Sequence, residues 1–288
     1  MIQALLCRDI SWVQHGCIAT YAPVGDNYIL PGQSDHDRLR VISEIHDGET
    51  RELLRRAGFF SGCRFVEFGC GMGYVTRWAA TEGAHATGLD VNEEQVLASQ
   101  ELARQKGLAS AYFRSANIYD PGLESESPDI AYCRWLMVHL NRPVEAMRVI
   151  YRALKPGGVM VCEEAGVSAI YAESRSAAYK EMRDIALRAG RDRGVDYDGG
   201  CRAHLWAKEA GFEIAHVAAY QPRVLNGPHK GFWNWTLRNA PLRLIEERSL
   251  SKDRWKELVD GMTATDTSPH IVVAHCRMHQ LIATKPGR

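Results

Sequence analysis

At 288 residues, with 45% hydrophobic and 24% charged side chains, the chain has the composition of an ordinary globular protein able to bury a substantial core. Its 35 basic and 35 acidic residues cancel, which removes the electrostatic footprint expected of a DNA- or RNA-binding protein. No apolar run approaches the ~20 residues needed to cross a bilayer, which excludes a membrane span.

In chain order, apolar positions Leu39, Ile42, Ile45, Leu53 and Leu54 keep near-helical spacing and predict a helix over 35–56. Residues 63–68 form a strand that ends in Gly69-Cys-Gly-Met-Gly73, and 74–81 is the helix leaving that loop. A second strand over 84–90 follows, and Asn92 is placed to cap a helix over 93–105. Short strands at 111–114 and 129–133 flank a turn-rich stretch. A helix over 144–154 is halted by Lys155-Pro-Gly-Gly158, and a wholly apolar strand covers 159–162. Strands alternating with helices at this spacing imply βαβ units and a parallel sheet. Beyond Glu164 the rhythm changes. Residues 165–210 are mostly helical and polar, 211–220 and 271–284 are two final strands, and 221–270 is an insertion rich in tryptophan.

The 8 cysteines are scattered and never form a C-x-x-C pair. Reduced, mostly buried thiols in a cytoplasmic protein, with no metal site, are therefore expected. Arg8 and Asp9 break the apolar N-terminus, so no signal peptide is expected.

The chemistry concentrates at Glu67-x-Gly69-x-Gly71-x-Gly73. Glycines between a strand and a helix let backbone approach a ligand with no Cβ in the way. The helix behind them offers unpaired N–H groups and a positive dipole end. Asp90 ends the next strand, where a carboxylate can accept hydrogen bonds from both hydroxyls of a ribose. Nicotinamide and flavin enzymes prefer G-x-G-x-x-G, and here Tyr74 occupies the third glycine position, where it would crowd a pyrophosphate. A nicotinamide-dependent oxidoreductase is thus the weaker alternative. S-adenosylmethionine, with an amino-acid end and a nucleoside but no pyrophosphate, suits the wider loop.

The segments VEFGCGMG, GLDV, SANIYD, PDIAYCRWLMVHL and LKPGGVMVCEE resemble, in this order, the successive motifs of class I S-adenosylmethionine-dependent methyltransferases. More narrowly they resemble the small-molecule subgroup typified by ubiquinone and menaquinone biosynthesis and natural-product tailoring enzymes. The likeness covers about residues 60–165 and extends weakly through NYILPGQSDHDRLR and the last two strands. It implies an α/β, Rossmann-like seven-stranded sheet, mostly parallel with an antiparallel last strand, carrying helical N-terminal and cap segments. The expected organisation is one domain over 1–288: a cover segment 1–59, a cofactor-binding core 60–165, and cap helices plus the last two strands over 166–288.

Residue by residue, the resemblance implies that Glu67 orders the methionine end of S-adenosylmethionine while Gly69, Gly71 and Gly73 pass under it. Asp90 holds the ribose, Val91 packs on the adenine, and Asn117 (the family's usual Asp) contacts the adenine amino group beside Ile118. Cys133 and Arg134 end the fourth strand, where the family's backbone meets the methionine portion, and Tyr28 folds over the cofactor. For catalysis, Glu163 and Glu164 stand at the carboxyl end of the fifth strand as candidate bases, with His139 a third candidate. Tyr171, Tyr179, Trp206, Tyr220, Phe232, Trp233 and Trp235 suggest a lid over an apolar or aromatic small molecule. The acceptor atom (carbon, oxygen or nitrogen) stays open. So does an adenosylmethionine-binding enzyme of other chemistry, such as cyclisation or decarboxylation. The first 27 residues cover either the site or a partner subunit, which leaves homo-oligomerisation open.

Overall fold

Asn92 accepts a hydrogen bond from the Gln95 N–H at 3.1 Å and so begins a helix, Glu93–Gln105, at the residue its sequence signal marks. The rest of the core alternates in the same way. The computed structural model describes residues 32–123, 127–173, 175–239 and 250–287. Its parallel strands are β1 (Arg64–Phe68), β2 (His85–Asp90), β3 (Ala111–Ser115), β4 (Ile130–Arg134) and β5 (Val159–Gly166). Between and before them run α1 (Gly32–Arg56), α2 (Tyr74–Thr81), α3 (Glu93–Gln105) and α4 (Pro143–Ala153). Then come β6 (Tyr171–Ala172), α5 (Ala177–Asp192), α6 (Ala203–Ala210), β7 (Glu213–Tyr220), β8 (Arg223–Val224), α7 (Phe232–Asn239), α8 (Lys252–Thr267), β9 (Val273–Ala274) and β10 (Arg277–Thr284).

The main sheet is seven-stranded in the order β3-β2-β1-β4-β5-β10-β7. β10 slides between β5 and β7, antiparallel to both. Chain direction reverses its progress across the sheet between β1 and β4, and ligands of open α/β sheets bind outside the strands' carboxyl ends at that switch point. β1 and β5 are buried nearly throughout, as strands covered on both faces must be, whereas β7 at the edge alternates between half-buried and exposed residues.

Two apolar layers cover the sheet. On one face α4 and α6 pack Met147, Ile150 and Ala207 against Cys133 and Cys162; on the other, α1 and α2 pack Leu54, Val75 and Ala79 against Phe65 and Tyr132. A third cluster joins Tyr179 and Met182 of α5, Phe232 and Trp233 of α7, Leu258 and Met262 of α8, and Ile42 of α1. This cluster is the cap.

Three boundaries differ from the sequence expectation. β5 runs on to Gly166 because Glu163 and Glu164, which look like a polar stop, are both fully buried and paired. The expected strand over 271–284 divides into β9 and β10, and β9 joins β6 and β8 in a separate three-stranded sheet. The insertion over 221–270 supplies β8, α7 and α8. Tyr28 and the first 27 residues lie outside the described residues. Among the described residues no helix is long and apolar enough to cross a membrane.

Candidate active site

The glycine loop owes its shape to backbone that L-residues avoid. Gly71 and Gly73 sit at φ +50° and +62°, and a Cβ on Gly73 would stand 2.3 Å from the Phe113 ring. Held in this way, the Gly71 N–H donates to Asp90 Oδ2 at 2.7 Å, and the Asn92 N–H donates to Asp90 Oδ1 at 2.9 Å. One carboxylate therefore sets both the loop after β1 and the turn after β2. Glu67 ties β1 to the first turn of α2: its Oε2 accepts the Thr76 N–H at 2.8 Å and the Thr76 hydroxyl at 2.5 Å. Burial pushes the Glu67 carboxyl up to about 7, against the pull of those Thr76 hydrogen bonds.

These residues wall a cavity of about 630 Å³ at the carboxyl ends of β1, β2 and β4. One end gathers charge: Glu67, Asp35, Arg38 and Arg134. Asp35 accepts from Arg38 Nε at 2.7 Å and from Gln95 Nε2 at 2.6 Å. Arg134 donates to Asp47 and to Thr50 of α1, each at 2.9 Å. Asp90 lines the middle. At the far end stand Val91, Asn117, Ile118 and Tyr119, with the Arg142 guanidinium 4.3 Å from the Tyr119 ring centre. Asn117 Oδ1 already accepts the Tyr119 N–H at 2.9 Å, and a second lone pair and two amide donors remain on that side chain.

A second cavity of about 150 Å³ lies under the cap, walled by Val138, Met182, Ile185, Tyr197, Trp233 and Trp255 among others. It is almost wholly apolar, and Arg193 is its charged member among the described residues. Trp135 and His139 line both cavities. Trp135 follows β4 at φ +55°, a conformation that costs a bulky residue energy and collects at functional sites. Its indole N–H donates to Met278 Sδ at 2.8 Å, and its ring stacks on Trp233 at 6.1 Å with 10° between planes. His139 meets the Tyr197 ring edge-on at 5.1 Å. Burial, reinforced by the positive fields of Arg38 and Arg193, lowers its pKa to about 3.

Of the sequence-predicted residues, Glu67, Gly69, Gly71, Asp90, Val91, Asn117, Ile118, Arg134 and His139 line the larger cavity together. Four others do not. Gly73 sits behind the loop as the cap of α2. Cys133 points into the layer under α4, beside Cys162. Glu163 turns toward α1 and β10, accepting from Thr50 (2.5 Å), Tyr132 (2.8 Å) and Gln280 (3.0 Å). Glu164 accepts the backbone N–H groups of Leu136, Met137 and Val138 at 3.1, 2.8 and 3.3 Å. Burial nonetheless holds the Glu164 carboxyl up at about 7. Both glutamates are spoken for inside the protein, and neither lines either of the two cavities. Of the expected lid aromatics, Trp233 alone lines the second cavity.

Sequence reasoning assigned no role to Asp35, Arg38 or Trp135. The i, i+3 spacing of Asp35 and Arg38 was a signal for an ion pair, and nothing in it pointed to a site. Tyr151 and Lys155 have the Tyr-x-x-x-Lys spacing used by some nicotinamide-dependent oxidoreductases, but Lys155 pairs with Asp129 at the opposite, amino end of the strands, and Tyr151 packs on Phe212. No dehydrogenase dyad is formed there.

Comparison with known proteins agrees with this geometry. Residues 66–162 match the methyltransferase domain family. The chain is 29% identical over 106 residues to a ubiquinone biosynthesis O-methyltransferase of Sodalis glossinidius, covering 37% of this chain and 43% of that protein. It is 30% identical over 214 residues to a sterol 24-C-methyltransferase of Gibberella zeae, covering 72% and 54%. These alignments span about half the length of the curated relatives. Among solved structures, the YcgJ protein of Bacillus subtilis superposes with a TM-score of 0.59 at 15% identity, covering 84% of this chain and 100% of the other.

Proposed function

We propose that this chain, a member of the class I S-adenosylmethionine-dependent methyltransferases, transfers a methyl group from that cofactor to an apolar small molecule held under the cap. The observation that carries the reading is the pair of adjoining cavities, one polar and one apolar, which share Trp135 and His139.

The residues present fit the cofactor end by end. Asp90, at the carboxyl end of β2 and in the cavity wall, takes the ribose hydroxyls. Glu67 faces the ammonium, and Arg38 and Arg134 draw the carboxylate into the charged end. Val91, Asn117 and Ile118 receive the adenine. When bound, S-adenosylmethionine supplies an electrophilic methyl group on a cationic sulfur.

This chain's own part is alignment and exclusion of water. The apolar second cavity sheds solvent from the acceptor, so that attack proceeds in a medium where orientation contributes most of the rate. The indole N–H of Trp233 is buried without a partner in the cavity wall, a donor available to an oxygen or nitrogen on the acceptor. Glu164 acts from behind as a positioning residue, because its three N–H bonds hold the turn that presents Trp135 and His139. Five of the six described cysteines are buried free thiols, which fits a reducing compartment such as the cytoplasm.

Thermal-shift titration tests the reading. S-adenosylmethionine and S-adenosylhomocysteine at 100 times their Kd should each add about 2.7 kcal/mol of stability, while NAD adds none. Stabilisation by NAD alone would overturn it.

A further inference from the structure

The methyl group has to leave one cavity and enter the other, and among the described residues the two that line both are Trp135 and His139. On the functional reading above, the sulfur bearing that methyl would lie against this shared wall. Its positive charge distinguishes the cofactor before transfer from the uncharged thioether left afterwards.

The wall is chemically suited to notice the difference. An indole face attracts a cation through the ring quadrupole and has no comparable attraction for a neutral sulfur. Trp135 is not free to swing aside: its N–H donates to the Glu163 carbonyl at 2.9 Å, its indole N–H is engaged by Met278, and its ring is stacked on Trp233. The chain pays for this placement with a left-handed backbone at a bulky residue. The other member of the wall, His139, would repel a sulfonium if protonated. Burial and the fields of Arg38 and Arg193 keep its imidazole uncharged throughout the working pH range. Glu67 and Asp35 also favour a cation in this cavity, but the ammonium they face is common to substrate and product. The aromatic wall is the part positioned to read the sulfur.

We propose that Trp135, backed by Trp233 and flanked by His139, forms a charge-reading seat for the sulfonium, which binds S-adenosylmethionine in preference to S-adenosylhomocysteine and so promotes product release.

Calorimetric titration of the full chain with each of the two ligands tests the seat without knowledge of the acceptor. Trp135→Leu should weaken S-adenosylmethionine about five- to tenfold and S-adenosylhomocysteine less than twofold, with Trp135→Phe recovering most of the difference. Equal weakening of both ligands would reduce Trp135 to a packing role and overturn the proposal. Because a leucine removes the Met278 contact, the same titration is run on protein grown with mono- and difluorinated tryptophan. Fluorination drains the ring face while preserving its shape, and among the described residues Trp135 is the tryptophan lining the larger cavity. Stepwise loss of affinity for S-adenosylmethionine alone supports the seat, and no change overturns it. Failure of the unsubstituted protein to bind either ligand would instead overturn the functional reading on which the seat rests.

Discussion

The β1–β5 core and the cap solve the same task, holding a small molecule, by opposite means. In the core, recognition is carried by backbone and a few polar side chains at strand ends: a loop at positive φ, Asp90 gripping it, Glu67 tied to Thr76. In the cap it is carried by packed rings and aliphatic side chains from the turn after β4, the end of β5, α5, α7, α8 and the loop bearing Tyr197. A backbone-built site leaves a short, contiguous trace. A packed site is assembled from segments that are distant in sequence, and any one of them resembles ordinary core.

The comparison can be broken first at the joint between the two regions. Glu164→Ala strips the acceptor from three backbone N–H groups at once, and should cost about 4 kcal/mol in urea unfolding. A loss under 1 kcal/mol would show that the turn carrying Trp135 and His139 holds itself. Next, Asp90→Ala should weaken S-adenosylmethionine about a hundredfold by calorimetry, since it removes both ribose contacts and the grip on Gly71.

A smaller effect is read in pH. The Glu67 carboxyl is raised from 4.5 to about 7 in the fold. The folded state therefore holds a proton that the unfolded chain has released, and stability present below pH 4.5 is lost as pH rises through about 7. Binding of an ammonium runs the other way, because it requires the ionised form. Affinity for S-adenosylmethionine should rise about tenfold from pH 6 to pH 8 and should flatten in Glu67→Gln. An unchanged slope in that variant would assign the titration elsewhere.

The asymmetry also explains what could be read from sequence. Helix α3 and its Asn92 cap, the glycine loop and the acidic end of β2 were legible because each is local. Glu163 and Glu164 misled for a physical reason. Adjacent carboxylates at a strand end look exposed and reactive, whereas here alternation sends one to Thr50, Tyr132 and Gln280 and the other to the turn after β4. Both destinations are long-range contacts that no spacing rule reveals. Cys133 stands at the strand end its motif marks, and its side chain packs into the layer under α4, so only its backbone is left to face the cofactor side. Trp135 carries no sequence signal at all, since its role comes from a left-handed backbone angle.

The division between the two cavities is tested most directly by filling one of them. Ala186 of α5 lines the apolar cavity and not the polar one, so Ala186→Trp drives an indole into the acceptor side alone. Calorimetric titration with S-adenosylmethionine should then give a Kd within twofold of the unsubstituted protein, while Asp90→Ala in the same experiment loses about a hundredfold. If Ala186→Trp abolishes cofactor binding as Asp90→Ala does, the two cavities are one site and the account is contradicted.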